Sequence, residues 1–236
     1  DVDAALAFAR QSNCEFLIGI GGGSAIDAAK AVAGLLSNGG IASDYMEVVG
    51  KGQKITRPAL PWIAIPATAG TGAEVTRNAV VGWPEKKFKA SIRSELLLPR
   101  VALIDPELGV DVLASVTAAS GMDALCQCIE ACVSKNANPM TDALAIKGIE
   151  LAGKYLKRAF DDGHDLEARE GMALAALLSG IALTNAGLGA VHGFAAPIGA
   201  NFPIPHGLLC GLLLPHVINA NRSAGTTKYA DIDRAL

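Results

Sequence analysis

The feature that most constrains the fold is a change of pattern near residue 109. Before it, short apolar runs alternate with helical segments, as in "EFLIGI", "SAIDAAKAVAGLLS", "LPWIAIPAT" and "RVALID". Short buried strands separated by helices are typical of parallel α/β layering. From about Val112 onward, apolar residues recur at three- and four-residue spacing in long Ala- and Leu-rich stretches, which predicts helices. We therefore predict an α/β domain over residues 1–109 and an all-α domain over residues 110–236.

The composition limits the classes of partner. The chain is 51% hydrophobic and 18% charged, which is enough apolar material for a substantial core. A net charge of −3 without a basic run argues against a nucleic-acid surface. The apolar tract "GLLCGLLLPHVINAN" is interrupted by Pro215 and His216, which predicts a buried helix and no membrane span. Small molecules are the expected partners.

The cysteines and the N-terminal segment indicate the compartment. Five cysteines contain no CxxC pair, so a disulfide framework and a Cys-rich zinc site are not expected. The segment "DVDAALAFARQSNCEFL" lacks the basic start and unbroken apolar run of a signal peptide. These observations predict a reducing, cytoplasmic location.

A glycine cluster lies between the strand "EFLIGI" and a helix predicted to start at Ser24. Glycines such as Gly22 and Gly23 let the backbone approach a phosphate, and a helix N-terminus supplies free N–H groups. Ser24 and Asp27 also have the spacing of a capping box, so they either contact the ligand or start the helix. Ser24 stands where a GxGxxG fingerprint has its third glycine. The stretch predicts a phosphate-binding loop.

A second loop, "IPATAGTGAEVT", follows the next strand and carries hydroxyls on Thr68, Thr71 and Thr76. Loops at the carboxyl ends of parallel strands converge on the usual ligand position of an open α/β sheet. The two loops together favour a nucleotide over two unrelated turns. Lys89 is either a cation for that ligand or a solvated surface lysine.

The stretch "GMDALCQCIEA" is the third motif. On a helix, Asp123 and Gln127 are four residues apart and face the same way, with Cys126 close to that face. An aspartate among apolar residues is costly to bury without a cation. The alternative is that Asp123 only lies at a helix start after Gly121.

Two histidines lie in "GAVHGFAAPIGANFPIPHG", a stretch otherwise almost free of ionisable groups. A lone histidine in apolar surroundings is usually a core residue, but His192 and His206 are each followed by glycine and call for a joint explanation. If both approach Asp123 and Gln127, the four side chains offer oxygen and imidazole ligands that suit divalent Fe or Zn.

These motifs, in this order, resemble the iron-containing, group III alcohol dehydrogenase family over nearly the whole chain. The quoted stretches are "GGGSAIDAAK", "IPATAGTGAEVT", "DPEL", "GMDAL" and "HGFAAPIGANFPIPHG". The resemblance implies a Rossmann-like dinucleotide domain followed by a helical metal-binding domain, with NAD or NADP and a divalent metal, most simply Fe²⁺ with Zn²⁺ as the alternative, in a cleft between them.

The resemblance also implies roles for individual residues. Asp123, His192 and His206 match three metal ligands of the family and are the predicted catalytic centre. Gln127 stands where the family usually has a histidine, so it is a weaker fourth ligand. Ala196 stands where many members place a histidine close to the substrate.

The predicted cofactor site follows from the same resemblance. Gly22, Gly23 and Ser24 are expected to contact the pyrophosphate, and the other predicted cofactor-binding residues are Asp27, Thr68, Thr71, Thr76 and Lys89. The chain is short for the family, so we expect that N-terminal strands and C-terminal helices are missing. The acidic residue that distinguishes NAD from NADP would lie in the missing N-terminal part.

The function implied is reversible hydride transfer between NAD(P) and a small alcohol, aldehyde or ketone, in a homodimer. Two alternatives remain, because fold resemblance does not determine chemistry. One is a metal-dependent lyase or cyclase related to the sugar-phosphate cyclases. The other is a non-catalytic paralogue, which Gln127 and Ala196 would support.

Overall fold

The protein is described by a computed structural model over residues 1–222 and 227–236. It contains two compact units, one formed by Asp1–Pro66 and Ala73–Ile104, the other by Ala67–Gly72 and Asp105–Leu236. The boundary predicted near Gly109 therefore falls inside the second unit. The short segment after the second strand, which the sequence placed in the first domain, also belongs to the second unit.

The first unit is a mixed α/β structure. In chain order it contains α1 (Val2–Gln11), β1 (Leu17–Gly21), α2 (Gly23–Asn38), α3 (Ala42–Tyr45), β2 (Trp62–Pro66), β3 (Asn78–Trp83), β4 (Phe88–Arg93) and β5 (Val101–Ala102). Strands β1, β2 and β5 form a parallel sheet in that order, which confirms the three predicted strands. Gly21 pairs with Pro66, so β1 and β2 end at the same edge of the sheet.

An antiparallel hairpin of β3 and β4 was not predicted. Its inward positions are small or branched apolar residues, with Ala79 opposite Ile92 and Val81 opposite Ala90. The residues between them on each strand are less buried, as expected for a hairpin with one face on the core. Each strand has only two fully buried positions, which is too short an alternation to identify from sequence.

Helix α2 begins without a side-chain cap. Gly22 is its N-cap residue, with extended backbone, and the helix proper starts at Gly23 rather than at Ser24. The capping-box alternative for Ser24 and Asp27 is therefore wrong. Asp27 instead accepts a hydrogen bond from the backbone N–H of Val80 at 3.0 Å, which joins α2 to β3.

A fully buried lysine completes that junction. Lys30 Nζ lies 2.7 Å from the Ala73 carbonyl, 2.8 Å from the Thr76 carbonyl and 2.7 Å from the Asn78 carbonyl. Its ion pair with Asp27 Oδ1 spans 3.6 Å. Burial raises the pKa of Asp27 to about 6 against the attraction of Lys30, and burial lowers the pKa of Lys30 to about 8 against the attraction of Asp27. The ammonium thus holds the segment before β3 onto α2.

The second unit is helical, as predicted. It contains α4 (Ala114–Val133), α5 (Pro139–Asp161), α6 (Leu166–Ala186), α7 (Ala190–Asn201), α8 (His206–Asn221) and α9 (Lys228–Ala235). Local signals begin two of these helices: Asn138 caps α5 by accepting from the N–H of Met140 and Thr141, and Asp165 caps α6 by accepting from Ala168 N–H. The tract around Pro215 and His216 lies within α8.

Within the described residues, no single helix is long and apolar enough to cross a membrane. Helices α6 and α7 together are long and apolar enough to cross a membrane, but the chain bends by 104° between them.

Candidate metal centre

Three helices of the second unit bring the predicted metal ligands together. Asp123 lies in the middle of α4 and is buried, so the alternative that it marks a helix start is wrong. His192 lies in the first turn of α7, and His206 is the first residue of α8. The three side chains come from separate segments and meet only because α7 and α8 pack near α4.

The distances show that the predicted convergence is real. His192 Nε2 lies 3.2 Å from Asp123 Oδ1, and His206 Nε2 lies 3.7 Å from the same oxygen. The two imidazole ring centroids are 5.5 Å apart, at 61° to each other. One carboxylate oxygen and two imidazole nitrogens therefore surround a common point.

A fourth potential ligand, Cys210, lies beside these three side chains and was not predicted from the sequence. Cys210 Sγ lies 3.8 Å from His192 Nε2 and 3.7 Å from His206 Nε2. The ligand atoms of Asp123, His192, His206 and Cys210 all lie within 4.8 Å of one another. Cys210 is four residues after His206 on α8, a spacing that puts both on one helix side and that could have identified it.

The donor set fits a divalent transition metal. Tetrahedral coordination with bonds of about 2.0–2.3 Å separates the ligand atoms by about 3.3–3.8 Å. The four donor–donor distances given above run from 3.2 to 3.8 Å. Carboxylate, imidazole and thiol are also ligands that suit Zn²⁺ or Fe²⁺. These four separations are compatible with coordination of one ion by the four side chains.

Glu130 was also missed from the sequence, although it orients His192. Glu130 Oε2 lies 2.6 Å from His192 Nδ1, and its other oxygen accepts the Val191 N–H at 2.7 Å. A carboxylate on Nδ1 fixes the imidazole tautomer so that Nε2 is the lone-pair donor. Glu130 is seven residues after Asp123 on α4, two turns along the same side, and that spacing was the available signal.

The carboxylates control the protonation of His192. Burial by itself lowers the pKa of His192, but hydrogen bonds with Asp123, Cys210 and Glu130 outweigh it and raise the pKa to about 12. Burial raises the pKa of the Cys210 thiol, and His192 partly opposes this. A metal ion must displace the His192 proton, so metal binding releases protons and strengthens as the pH rises.

Gln127 is on the predicted side of α4 but has a protein partner. It is buried, and its Oε1 accepts a hydrogen bond from Ser179 Oγ of α6 at 2.7 Å. Its role as a fourth metal ligand stays a prediction. Ala196 is exposed on α7, one turn beyond His192.

The glycines after the two histidines have different roles. A Cβ atom on Gly207 would lie 1.8 Å from the carbonyl oxygen of Ala119 in α4, whereas a Cβ on Gly193 would meet nothing within 4 Å. Only a residue without a side chain lets the start of α8 come this close to α4. Gly207 therefore allows the neighbouring His206 to reach Asp123.

The predicted cofactor residues fall into two groups. Ser24 and Lys89 are exposed, and Gly22, Gly23, Thr68 and Thr71 are half-buried. Asp27 and Thr76 are buried and bind other parts of the first unit, since Thr76 Oγ1 lies 3.0 Å from Lys30 Nζ. For these two, the structure shows a role in joining α2 to β3. Contact with a nucleotide stays a prediction for the whole set.

We expect Glu130→Gln to weaken Zn²⁺ binding by about 10- to 100-fold, the range found when partners of metal-bound histidines are changed. The amide keeps the size of Glu130 but loses the charge that orients His192 Nδ1. Chelator competition with both proteins gives the affinities. Exposed Glu150→Gln on α5 is the matched control, and equal affinities in all three proteins would contradict the role.

Comparison with known proteins finds two matching family patterns and many similar sequences. The sequence pattern of the family "Iron-containing alcohol dehydrogenase" matches residues 1–106, and the pattern "Fe-containing alcohol dehydrogenase family, C-terminal" matches residues 117–236. The chain is 42% identical to an NAD-dependent methanol dehydrogenase of Bacillus methanolicus over 96% of its length. It is 46% identical to alcohol dehydrogenase 4 of Schizosaccharomyces pombe over 98%.

Solved structures give the same similarity. A crystal structure of 1,3-propanediol oxidoreductase superimposes with a TM-score of 0.93 at 41% identity, covering 99% of this chain and 60% of that one. Sulfoacetaldehyde reductase from Bifidobacterium kashiwanohense, in complex with NAD⁺, gives 0.88 at 35% identity, covering 99% of this chain and 66% of that one. The chain spans only 58% and 54% of the length of the two relatives named above.

Proposed function

Because the chain belongs to the iron-containing alcohol dehydrogenase family, we propose that it interconverts small alcohols with aldehydes or ketones, using NAD(P) and a divalent metal. The observation that carries the proposal is the convergence of Asp123, His192 and His206, with donor distances that fit one metal ion. The similarity to a methanol dehydrogenase and a 1,3-propanediol oxidoreductase supports this substrate class.

The residues of the metal centre have distinct tasks. Asp123, His192 and His206 would hold the ion, and Glu130 would keep His192 Nε2 pointed at it. A bound divalent ion supplies Lewis acidity, which polarises the substrate oxygen and favours the alkoxide. The side chain of His206 is 43% exposed and that of Asp123 only 4%. A substrate oxygen would therefore approach from the side of His206.

The glycine loop would hold the cofactor. Gly22 and Gly23 begin α2, and the free N–H groups and dipole of a helix N-terminus suit a pyrophosphate. Bound NAD(P)⁺ would supply hydride-transfer chemistry, so that oxidation of an alcohol would yield an aldehyde or ketone, NAD(P)H and a proton released to solvent. The Bifidobacterium relative was solved with NAD⁺, which supports this class of cofactor.

Metal analysis and a turnover assay on the purified chain test the proposal. The chain is stripped with chelator, reloaded with Fe²⁺ or Zn²⁺, and assayed for NADH and NADPH oxidation with short aldehydes. We expect about one metal per chain and aldehyde-dependent oxidation that requires the metal. A chain that binds metal and NAD(P)H but turns over no aldehyde would favour the non-catalytic alternative.

We expect Gly22→Val to weaken NADH binding by about tenfold or more, equivalent to about 1.4 kcal/mol. Gly22 has φ −73° and ψ −179°, a conformation that valine adopts without strain, so the loss would come from a side chain blocking the phosphate. Calorimetric titration with NADH measures it. Gly82→Val, at an exposed position of β3 with open space around it, is the control. Unchanged affinity in Gly22→Val would contradict the phosphate role.

A further inference from the structure

We propose that Cys210, as a thiolate, is the fourth protein ligand of the metal, in place of the histidine that this chain lacks at Gln127. The inference rests on the proposed metal function and names a ligand that the family resemblance did not. Its first support is position, because Cys210 Sγ faces both imidazole nitrogens, at 3.8 Å from His192 Nε2 and 3.7 Å from His206 Nε2.

The distances are those of a coordinated thiolate. With a metal–sulfur bond of about 2.3 Å and metal–nitrogen bonds of about 2.0–2.1 Å, tetrahedral geometry places sulfur and nitrogen about 3.5–3.6 Å apart. Both observed separations are within about 0.3 Å of that value. Cys210 and His206 lie four residues apart on α8, so one rigid helix presents both donors, and Asp123 and His192 close the set from α4 and α7.

The surroundings of Gln127 point the same way. Its Oε1 accepts from Ser179 Oγ at 2.7 Å, and a neutral amide oxygen is a weaker donor than a thiolate for a late first-row metal. Cys210 is completely buried in an apolar cluster, and as a thiolate it would be a stronger donor than the Gln127 amide. The loss of an imidazole at one position is thus matched by a sulfur donor from another helix.

A thiolate changes the metal that the site prefers. Sulfur ligands favour Zn²⁺, while carboxylate and imidazole alone discriminate less against Fe²⁺. Binding would remove the thiol proton to solvent and form the metal–sulfur bond, with no change in oxidation state. We therefore expect this chain to bind Zn²⁺ more tightly than Fe²⁺, and expect that preference to shrink when the sulfur is removed.

Cobalt substitution tests the ligand directly, without an activity assay. Co²⁺ bound through a thiolate shows a sulfur-to-metal charge-transfer absorption in the near ultraviolet. We expect this band in the unmodified chain and in Cys128→Ser, a buried cysteine of the same core cluster on α4, and its absence in Cys210→Ser and Cys210→Ala. Chelator competition should show Zn²⁺ binding weakened by about tenfold or more in the Cys210 variants only.

The outcomes separate this inference from the proposed function. An unmodified chain that binds Co²⁺ without the charge-transfer band overturns the role of Cys210 and leaves the metal centre in place. Retention of the band in Cys210→Ser also overturns the role of Cys210. If Zn²⁺ affinity falls by about tenfold or more in Gln127→Met but not in the Cys210 variants, the fourth ligand is Gln127. A chain that binds no Co²⁺ or Zn²⁺ at all overturns both. The absorption of the unmodified chain with Co²⁺ tests the proposal by itself, so the result stays decisive even if a Cys210 variant folds poorly.

Discussion

Replacing Asp123 by asparagine is expected to abolish binding at the proposed metal centre and to lower the proposed alcohol oxidation by about a thousandfold. Asp123 Oδ1 is the atom that both imidazoles approach, at 3.2 and 3.7 Å, and its side chain is almost fully buried. Asparagine keeps the shape but removes the negative charge that would hold a divalent ion. Losing several kcal/mol of Lewis-acid stabilisation in the transition state corresponds to a rate loss of this size.

Elemental analysis and steady-state rates of the reloaded proteins check this prediction. The matched control is Asp142→Asn on α5, because Asp142 pairs with Lys228 at 2.8 Å and belongs to no metal-binding cluster among the described residues. Circular dichroism of both variants verifies that the helices remain. A full complement of tightly bound metal in Asp123→Asn would show that the centre does not depend on this carboxylate.

Replacing Lys30 by methionine is expected to lower the free energy of unfolding by about 3–5 kcal/mol, the cost of leaving a buried charge without its partner. Methionine fills similar space but cannot donate to the carbonyls of Ala73, Thr76 and Asn78. It also leaves the buried carboxylates of Asp27 and Glu74 without their cation. The Lys30 side chain thus both binds the segment before β3 and neutralises the buried carboxylates.

Urea denaturation followed by far-ultraviolet circular dichroism measures the change, with exposed Lys89→Met as the control. The pH dependence gives a second readout. Loss of Lys30 raises the pKa of Asp27 further above its unfolded value of 3.8, so the folded state holds the proton more tightly than the unfolded state. Relative to the unmodified chain, the destabilisation should therefore grow as the pH rises above about 6, the pKa of Asp27 when Lys30 is present. Equal stability of Lys30→Met and Lys89→Met would refute the role of the buried ammonium. The double variant Asp27→Asn with Lys30→Met should recover part of the lost free energy of unfolding.

Much of the architecture was readable from local patterns. The apolar pattern correctly predicted strands β1, β2 and β5 and helices α4, α5 and α6. The spacing of apolar residues reflects whether one or both sides of an element are buried. The hairpin of β3 and β4 was missed because each of its strands buries only two residues. The division into units also differs from the predicted one, because the segment 67–72 directly follows a strand but belongs to the helical unit.

The sequence by itself determined the parallel strands and the long helices, and it predicted metal ligation by Asp123, His192 and His206, because motifs and periodicity indicate what each segment can bury or bind. Only the tertiary structure decided which other side chains meet them. Glu130 touches His192, Cys210 faces both imidazoles, and Asp27 with Thr76 surrounds Lys30, since these contacts depend on how closely separate elements pack. The approach of α8 to α4 over Gly207 is one such distance. A displacement of a few ångströms there would separate the donors without altering any local pattern.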